Sequence, residues 1–305
     1  SQDVQLAAGE TKQIKLRLAA GKGTYLFRAV IDADNAVVEY NESNNELSAT
    51  IYVCSKEKVL VVDDNDAELF STAEPSSADE FSGILKRSGY CVEAWDKKQQ
   101  GVPGSSELSN FKVVVWSAGD YFNGTMSSKD AQAIGNYTGG LLLEGADVGL
   151  DHSDSGSSFL QELTGSVFGS DLLLNDAEPE ALLLKPHPIT ANISALSIVK
   201  NNSPYPDAVE PVDSDAVAEW RNGSAAITAR NLSRGRRAVY YAFSVDGITD
   251  NRARENLVLN TVQWLLEGAN SPPQIHNLTN ATASEAELVT IRINATDDDG
   301  DNATF

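Results

Sequence analysis

The sequence predicts an α/β protein in which a parallel sheet flanked by helices is bracketed by partial β-sandwich segments. Three observations predict this class. Residues 57–268 alternate short apolar runs with amphipathic stretches, which is the pattern of successive βαβ units. Residues 1–54 carry only strand-type alternation of polar and apolar residues. Residues 269–305 return to that pattern after a Pro-containing linker.

The composition bounds the function. The 305 residues suffice for about two domains of ordinary size. A content of 41% hydrophobic and 22% charged residues allows packed cores and excludes a wholly disordered chain. The net charge of -21 argues against nucleic acid as a partner, because a negative surface repels phosphate. No long apolar run is present, so we expect no membrane insertion in this segment. The opening residues lack the pattern of a secretion signal, which we expect to have been removed or to lie outside the segment.

The central elements follow from local patterns. Residues 58–62 are an apolar run that ends in two aspartates, as in a buried parallel strand. Ser77 and Glu80 have the spacing of a capping box, which predicts a helix that ends at Gly89. Further strands are predicted at 91–95, 112–116, 141–143 and 237–245, and further helices at 128–137 and 251–266.

The amino-terminal segment has strand patterns at 11–18, 24–31 and 47–53. Within it, YLFRAVIDADNAVVEYNESNNELSATIYV closely resembles the second half of a CARDB domain, an adhesion-associated immunoglobulin-like module of secreted and surface proteins. The resemblance rests on the turn, Glu39, the Asn44 and Asn45 pair and the closing strand, in that order. It implies that residues 1–54 are the carboxyl-terminal half of a sandwich.

The central segment resembles the class I glutamine-amidotransferase-like fold, as embedded in large secreted and surface proteins. The motifs that carry the resemblance are KVLVVDD (58–64), GYCVEAWD (89–96), FKVVVWSAG (111–119), GGLLLEGADVG (139–149), HPIT (187–190) and the closing RAVYYAFSVDGITDNRARENLVLNTVQWLLEG. The resemblance implies an amidotransferase- or flavodoxin-like parallel sheet over residues 57–268.

An amidotransferase site needs a cysteine on a strained strand-to-helix turn, a histidine that activates it and a carboxylate that orients the histidine. The turn Gly145-Ala-Asp147-Val-Gly149 has the required glycines, but its nucleophile position holds Asp147. A carboxylate cannot form the thioester that glutamine hydrolysis requires. We therefore predict no catalytic site; an exported hydrolase would have to use Asp147 with His152 or His187.

Two acidic stretches could hold a metal ion. Asp63, Asp64, Asp66 and Glu68 follow the first central strand, and we interpret them as a solvated acidic loop rather than a divalent cation site. Residues 269–305 resemble the first strands of a cadherin-like or PKD-like sandwich with an Asp-rich loop. The residues predicted to bind Ca²⁺ there, unless the loop is a plain turn, are Asp297, Asp299, Asp301 and Asn302. We expect no other cofactor.

Two features indicate an extracellular or cell-surface glycoprotein. Asn-X-Ser/Thr sequons predict N-linked glycans at Asn41, Asn123, Asn136, Asn192, Asn201, Asn222, Asn231, Asn277, Asn280, Asn294 and Asn302. Cys54 and Cys91 each adjoin a predicted strand, and we favour a disulfide between them over two buried thiols or a catalytic cysteine.

Three functions are consistent with these patterns. The first is a noncatalytic structural component of an extracellular assembly, such as a filament, sheath or surface layer. In it, half sandwiches would be completed by copies of the chain, joined head to tail by strand addition, or by neighbouring domains of a longer chain. The second is the exported hydrolase. The third is an adhesin with a cleft lined by Trp95, Trp116 and Tyr121, although both tryptophans end predicted buried strands.

Overall fold

The computed structural model describes residues 13, 19, 21, 23–34, 36–37, 40–41, 43, 45–64, 76–120, 125–154, 156–174, 178–199 and 205–268, except the side chain of Arg234, and the backbone of 274–276 and 294–296. The chain divides into two compact units, residues 1–55 and 56–305.

The first unit contains an antiparallel hairpin of strands β1 (Gly23–Val30) and β2 (Glu46–Val53). These strands confirm the predicted strands at 24–31 and 47–53, whereas the one predicted at 11–18 lies almost wholly outside the described residues. Directly paired residues point to the same face of a sheet. One face of the hairpin is therefore apolar, with Tyr25, Phe27, Ala29, Leu47, Ala49 and Ile51.

The second unit begins with an alternation of strands and helices. The elements up to β6 are β3 (Lys58–Asp63), α1 (Ser77–Arg87), β4 (Cys91–Asp96), α2 (Lys97–Gln100), α3 (Ser105–Leu108), β5 (Val113–Gly119), α4 (Ser128–Asn136) and β6 (Gly140–Gly145). Those that follow are α5 (Val148–Asp154), α6 (Phe159–Thr164), β7 (Ser166–Asp171), β8 (Glu180–Ala181), β9 (Leu183–Leu184), β10 (Ser197–Ile198), β11 (Asp207–Pro211), β12 (Asp215–Glu219), β13 (Ala225–Asn231), β14 (Arg237–Tyr241) and α7 (Asn251–Gly268).

The main sheet of the described residues has ten strands, with the continuous order β4-β3-β5-β6-β14-β13-β11-β7. The first five of these strands pair in parallel, which confirms the predicted parallel sheet flanked by helices. The strands from β13 onward pair antiparallel and were not predicted. The carboxyl ends of the parallel strands form one edge, where α/β proteins place their ligands.

Alternation along the parallel strands builds a core on each face of the sheet. In β3, Val59 and Val61 enter one core while Leu60 and Val62 enter the other. The first core includes the apolar residues of α1 and α7, and the second includes those of α4, α5 and α6. A strand that is buried on both faces reads as a continuous apolar run, which is why β3 could be predicted.

Two local predictions are corrected. Helix α1 is capped by Ser76, whose hydroxyl accepts from the Asp79 N–H at 3.2 Å, and not by Ser77. The Ser77 hydroxyl is instead 2.5 Å from that of Ser244. Strand β14 ends at Tyr241 rather than at residue 245, because Val245 begins a short 3₁₀ helix.

The carboxyl-terminal segment contains β15 (Gln274–His276) and β16 (Asn294–Thr296), which pair antiparallel. The predicted calcium loop at Asp297, Asp299, Asp301 and Asn302 lies outside the described residues. The proposed cadherin-like or PKD-like identity of residues 269–305 stays a prediction.

Candidate functional site

The carboxyl ends of β5, β6 and β14 surround the fully buried carboxyl of Glu144. One of its oxygens accepts from the Ser117 hydroxyl at 2.7 Å and from the Gly119 N–H at 3.3 Å. The other accepts from the Val245 N–H at 2.7 Å. Burial nevertheless raises the pKa of Glu144 to about 7, against the lowering effect of these donors.

Two further acidic residues, Asp120 and Asp246, lie close to Glu144. The Ser244 hydroxyl donates to Asp246 Oδ1 at 2.5 Å. Burial, followed by the charges of Asp246 and Glu144, raises the pKa of Asp120 to about 9. Burial also raises the pKa of Asp246. Burial and mutual repulsion therefore favour the protonated form of these carboxyls. A protonated carboxyl can donate a proton but is a poor nucleophile.

The predicted turn is present between β6 and α5, and its two glycines are sterically required. A Cβ at Gly145 would lie 2.8 Å from Val148 Cγ2 and 2.9 Å from the Ala118 side chain. A Cβ at Gly149 would lie 2.7 Å from Asp207 Oδ2. These spacings are too short for carbon, so both positions accept only glycine without local rearrangement.

Asp147 occupies the nucleophile position of this turn and is 3% exposed. Burial raises its pKa to about 7, and the charges of Asp171 and Asp151 raise it further in the same direction. Asp207, at the start of β11, lies beside the turn and accepts the Gly149 N–H at 2.6 Å. An oxygen of Asp147, one of Asp171 and one of Asp207 lie within 4.8 Å of one another, so these residues could hold a metal ion.

The two candidate histidines do not complete a catalytic triad. His152 is buried against Phe159, with ring centroids 5.0 Å apart. His187 precedes a 3₁₀ turn, where its Nδ1 accepts the Ile189 N–H at 3.2 Å. Burial lowers the pKa of both imidazoles. Within the described residues, neither histidine hydrogen-bonds to Asp147.

His187 belongs to a different part of the domain. Its ring meets Trp264 of α7 edge-on, with centroids 5.2 Å apart. Trp264 lies in the core on one face of the sheet, and Val148, next to Asp147, lies in the core on the other face. The position of His187 therefore argues against its acting on Asp147.

The acidic stretch after β3 is partly neutralised. Lys97 forms ion pairs with both Asp64 and Asp130, the latter at 2.9 Å. The Trp116 indole N–H donates to Asp64 Oδ2 at 2.7 Å. Asp64 is 2% exposed and has a structural role, so the interpretation as a solvated loop is wrong for this residue. Asp66 and Glu68 lie outside the described residues.

The described residues do not form the aromatic cleft that the adhesin hypothesis requires. Trp116 is fully buried and Trp95 is half-buried, with its indole N–H donating to the Gly101 carbonyl at 2.7 Å. Tyr121 lies outside the described residues. The buried position of Trp116 removes it from any surface that could bind a ligand.

Of the two features that indicate secretion, the structure contains the disulfide but does not test glycosylation. Cys54 and Cys91 form the predicted disulfide, and Cys91 begins β4 next to β3. The sequon asparagines whose side chains are described are all exposed: Asn41, Asn136, Asn192, Asn222 and Asn231. Exposure permits glycosylation but does not show it. The other sequon side chains, those of Asn123, Asn201, Asn277, Asn280, Asn294 and Asn302, lie outside the described residues.

Comparison with known proteins supports the description of the amino-terminal segment. The CARDB family model matches residues 1–49. A search of curated proteins finds no match. The disulfide and the CARDB match together indicate an extracellular location. Among the described helices, none combines the length and hydrophobicity needed to cross a bilayer.

Solved structures resemble most of the chain. A GH42 beta-galactosidase from G. stearothermophilus matches with a TM-score of 0.51 and 11% identity, over 73% of this chain and 32% of that chain. A GMP synthase component from Thermoplasma acidophilum has a TM-score of 0.45 and 15% identity, over 68% and 95% of the two chains. A ThuA-like protein from Bacteroides uniformis has a TM-score of 0.46 and 14% identity, over 71% and 94%.

At these identities the likeness concerns the fold alone, and the chain spans only 32% of the beta-galactosidase. The chain therefore combines a start that matches the CARDB model with an α/β domain whose large sheet is parallel over its first five strands and antiparallel beyond them.

Proposed function

We propose that this chain is a noncatalytic structural component of an extracellular, glycosylated assembly such as a filament, sheath or surface layer. The exposed apolar face of the β1–β2 hairpin carries the proposal. On that face Leu47 is 76% exposed, Ile51 43% and Phe27 38%. In a β-sandwich this face packs against a second sheet, so its exposure calls for covering strands.

The hairpin has a pattern that suits completion by another polypeptide. The opposite face is mixed: it carries Thr24, Arg28, Ser48 and Thr50, but also the exposed Leu26 and Val30, and Arg28 pairs with Glu46 at 2.5 Å. A two-stranded sheet with one apolar face is marginal alone and gains stability from further strands. Such strands would come from a second copy of the chain or from a neighbouring domain, by strand addition.

The acidic turn supports a noncatalytic role. Asp147 stands where an amidotransferase-like site needs cysteine, and neither candidate histidine hydrogen-bonds to it within the described residues. An exported hydrolase is the alternative. It would require Asp147 to act with a base that lies outside the described part of the chain.

The hairpin face can be tested with matched substitutions on opposite faces of β2. Leu47→Asp puts a charge on the apolar face, whereas Thr50→Asp puts the same charge on the opposite, mixed face at an exposed position. We expect concentration-dependent association of the unmodified chain, measured by light scattering and electron microscopy. Leu47→Asp should weaken association at least about tenfold, a cost of about 1.4 kcal/mol; Thr50→Asp should leave it unchanged.

Equal effects of the two substitutions, or a chain that stays monomeric up to its solubility limit, would count against assembly through this face. Intact-mass measurement of the natively produced protein tests the glycans separately. A mass equal to that of the bare polypeptide would refute that part of the proposal. Turnover of an amide or ester library that is lost in Asp147→Asn would favour the hydrolase instead.

A further inference from the structure

Three aspartates from separate elements converge beside the β6–α5 turn. Asp147 lies in the turn, Asp171 ends β7 and Asp207 begins β11. Asp171 and Asp207 are direct cross-strand partners in the antiparallel register. Like charges in directly opposed positions destabilise a sheet. This juxtaposition therefore has to be relieved, either by a compensating positive charge or by a proton.

The buried carboxyl of Asp207 is the place where a positive charge would stabilise the cluster most. Its side chain is fully buried, and its Oδ2 accepts from the Gly149 N–H at 2.6 Å and from the Tyr240 hydroxyl at 2.7 Å. Its Oδ1 is also buried and has no hydrogen-bond partner in the described part of the chain. Leaving a buried carboxylate oxygen without a partner is costly, whereas a bound ion would satisfy it.

The surrounding charges do not supply the compensation. The charged groups that act on Asp147, Asp171 and Asp207 are other aspartates, as far as the described residues show. The carboxylate cluster offers only oxygen donors, which suit hard divalent cations. Asp171 is exposed, and it gives an ion a path from solvent to the buried Asp207.

We propose that Asp147, Asp171 and Asp207 form a binding site for a hard divalent cation of the Ca²⁺ type. The ion would bridge the β6–α5 turn, β7 and β11 and would fix the turn to the antiparallel half of the sheet. This role is independent of the proposed assembly through the hairpin. It is also distinct from the calcium loop predicted at residues 297–302, which lies outside the described residues.

The test uses the full chain, stripped with chelator and titrated with Tb³⁺ as a luminescent probe, followed by displacement with Ca²⁺ or Mg²⁺. Tyr240 donates a hydrogen bond to Asp207 and is therefore close enough to sensitise bound Tb³⁺. We expect a sensitised signal that Ca²⁺ displaces, and a rise in melting temperature with Ca²⁺. Asp171→Asn should weaken binding at least about tenfold.

Two matched variants make the result specific. Asp154→Asn removes a neighbouring exposed carboxylate outside the cluster and should leave affinity within about twofold, well below the tenfold loss expected for a ligand. Asp299→Asn should remove only binding at the predicted carboxyl-terminal loop, so that any Asp171-dependent signal persists. Absence of sensitised binding in the unmodified chain, or equal affinities of Asp171→Asn and Asp154→Asn, would overturn the proposal. The first result would mean that the carboxyls share protons instead.

Discussion

Glu144 makes the stability of the protein depend on pH in a direction opposite to that of most acidic residues. Burial raises its pKa from 4.5 to about 7. The folded state therefore holds the proton more tightly than the unfolded state does. Its contribution to stability is fully present below pH 4.5 and is lost as pH rises through 7.

The size of the effect follows from the two pKa values. Between pH 5 and pH 8, the shift of Glu144 from 4.5 to about 7 removes roughly 2–3 kcal/mol from the free energy of unfolding. For a chain of this size that equals roughly 5–10 °C in melting temperature. Glu144→Gln keeps the shape of the side chain and cannot ionise, so it should remove this part of the pH dependence.

The substitution has a small cost that is independent of pH. The Gln oxygen can still accept the Val245 N–H, and its amide group can donate to the Ser117 hydroxyl. The long contact of 3.3 Å from the Gly119 N–H is lost, at about 1 kcal/mol. Glu144→Gln should therefore be slightly less stable than the unmodified protein at pH 5 and more stable at pH 8.

Thermal and urea unfolding at pH 5 and pH 8 measure this crossover. The matched control is Glu93→Gln, the same substitution at an exposed position on β4. Asp120 adds to the signal, because the Glu144 charge helps to raise the pKa of Asp120. Parallel stability curves for Glu144→Gln and Glu93→Gln would show that Glu144 is already ionised in the fold at pH 5, and would refute the reasoning.

Two further substitutions test the packing of the site. Gly149→Ala places a methyl group 2.7 Å from Asp207 Oδ2 and should lower the free energy of unfolding by about 1–3 kcal/mol; Gly135→Ala, in α4 with open space around it, should change it by less than about 1 kcal/mol and upward. Equal melting temperatures for the two would contradict the steric account of the turn. Lys97→Met leaves the buried Asp64 and Asp130 without their shared ion-pair partner and should cost about 3–5 kcal/mol at pH 8, with less at pH 5, where Asp64 can protonate. A cost that does not vary with pH would show that Asp64 is not the group left uncompensated.

The elements that could be predicted are those whose own residues are buried on both sides. Strand β3 is a continuous apolar run because its neighbours β4 and β5 enclose it and both faces carry a core. Helix α7 could be recognised because Leu257, Val258 and Leu265 return at helical spacing. The predicted position of the α1 cap is wrong by one residue, because Ser76 and Ser77 each have an acidic residue three positions later and the sequence does not distinguish them.

The antiparallel half of the sheet could not be predicted because its strands carry little local signal. Strands β12 and β13 are rich in alanine, which favours strands weakly, and they owe their pairing to the sheet they join. Asp171 and Asp207 are therefore invisible as a pair in the sequence. Only the cross-strand register brings them together with Asp147.

Gly145 and Gly149 show that a glycine motif typical of a nucleophile turn can be required by packing and hydrogen bonding alone. In the sequence they indicate a strained turn for a nucleophile. In the structure, the missing side chain of Gly149 lets its N–H reach the buried Asp207 carboxylate, and Gly145 makes room for Val148 and Ala118. Packing and a hydrogen bond to a carboxylate thus suffice to require both glycines. Their presence is therefore no argument for catalysis, and the identity of the residue between them, Asp147, is what decides which chemistry the turn can perform.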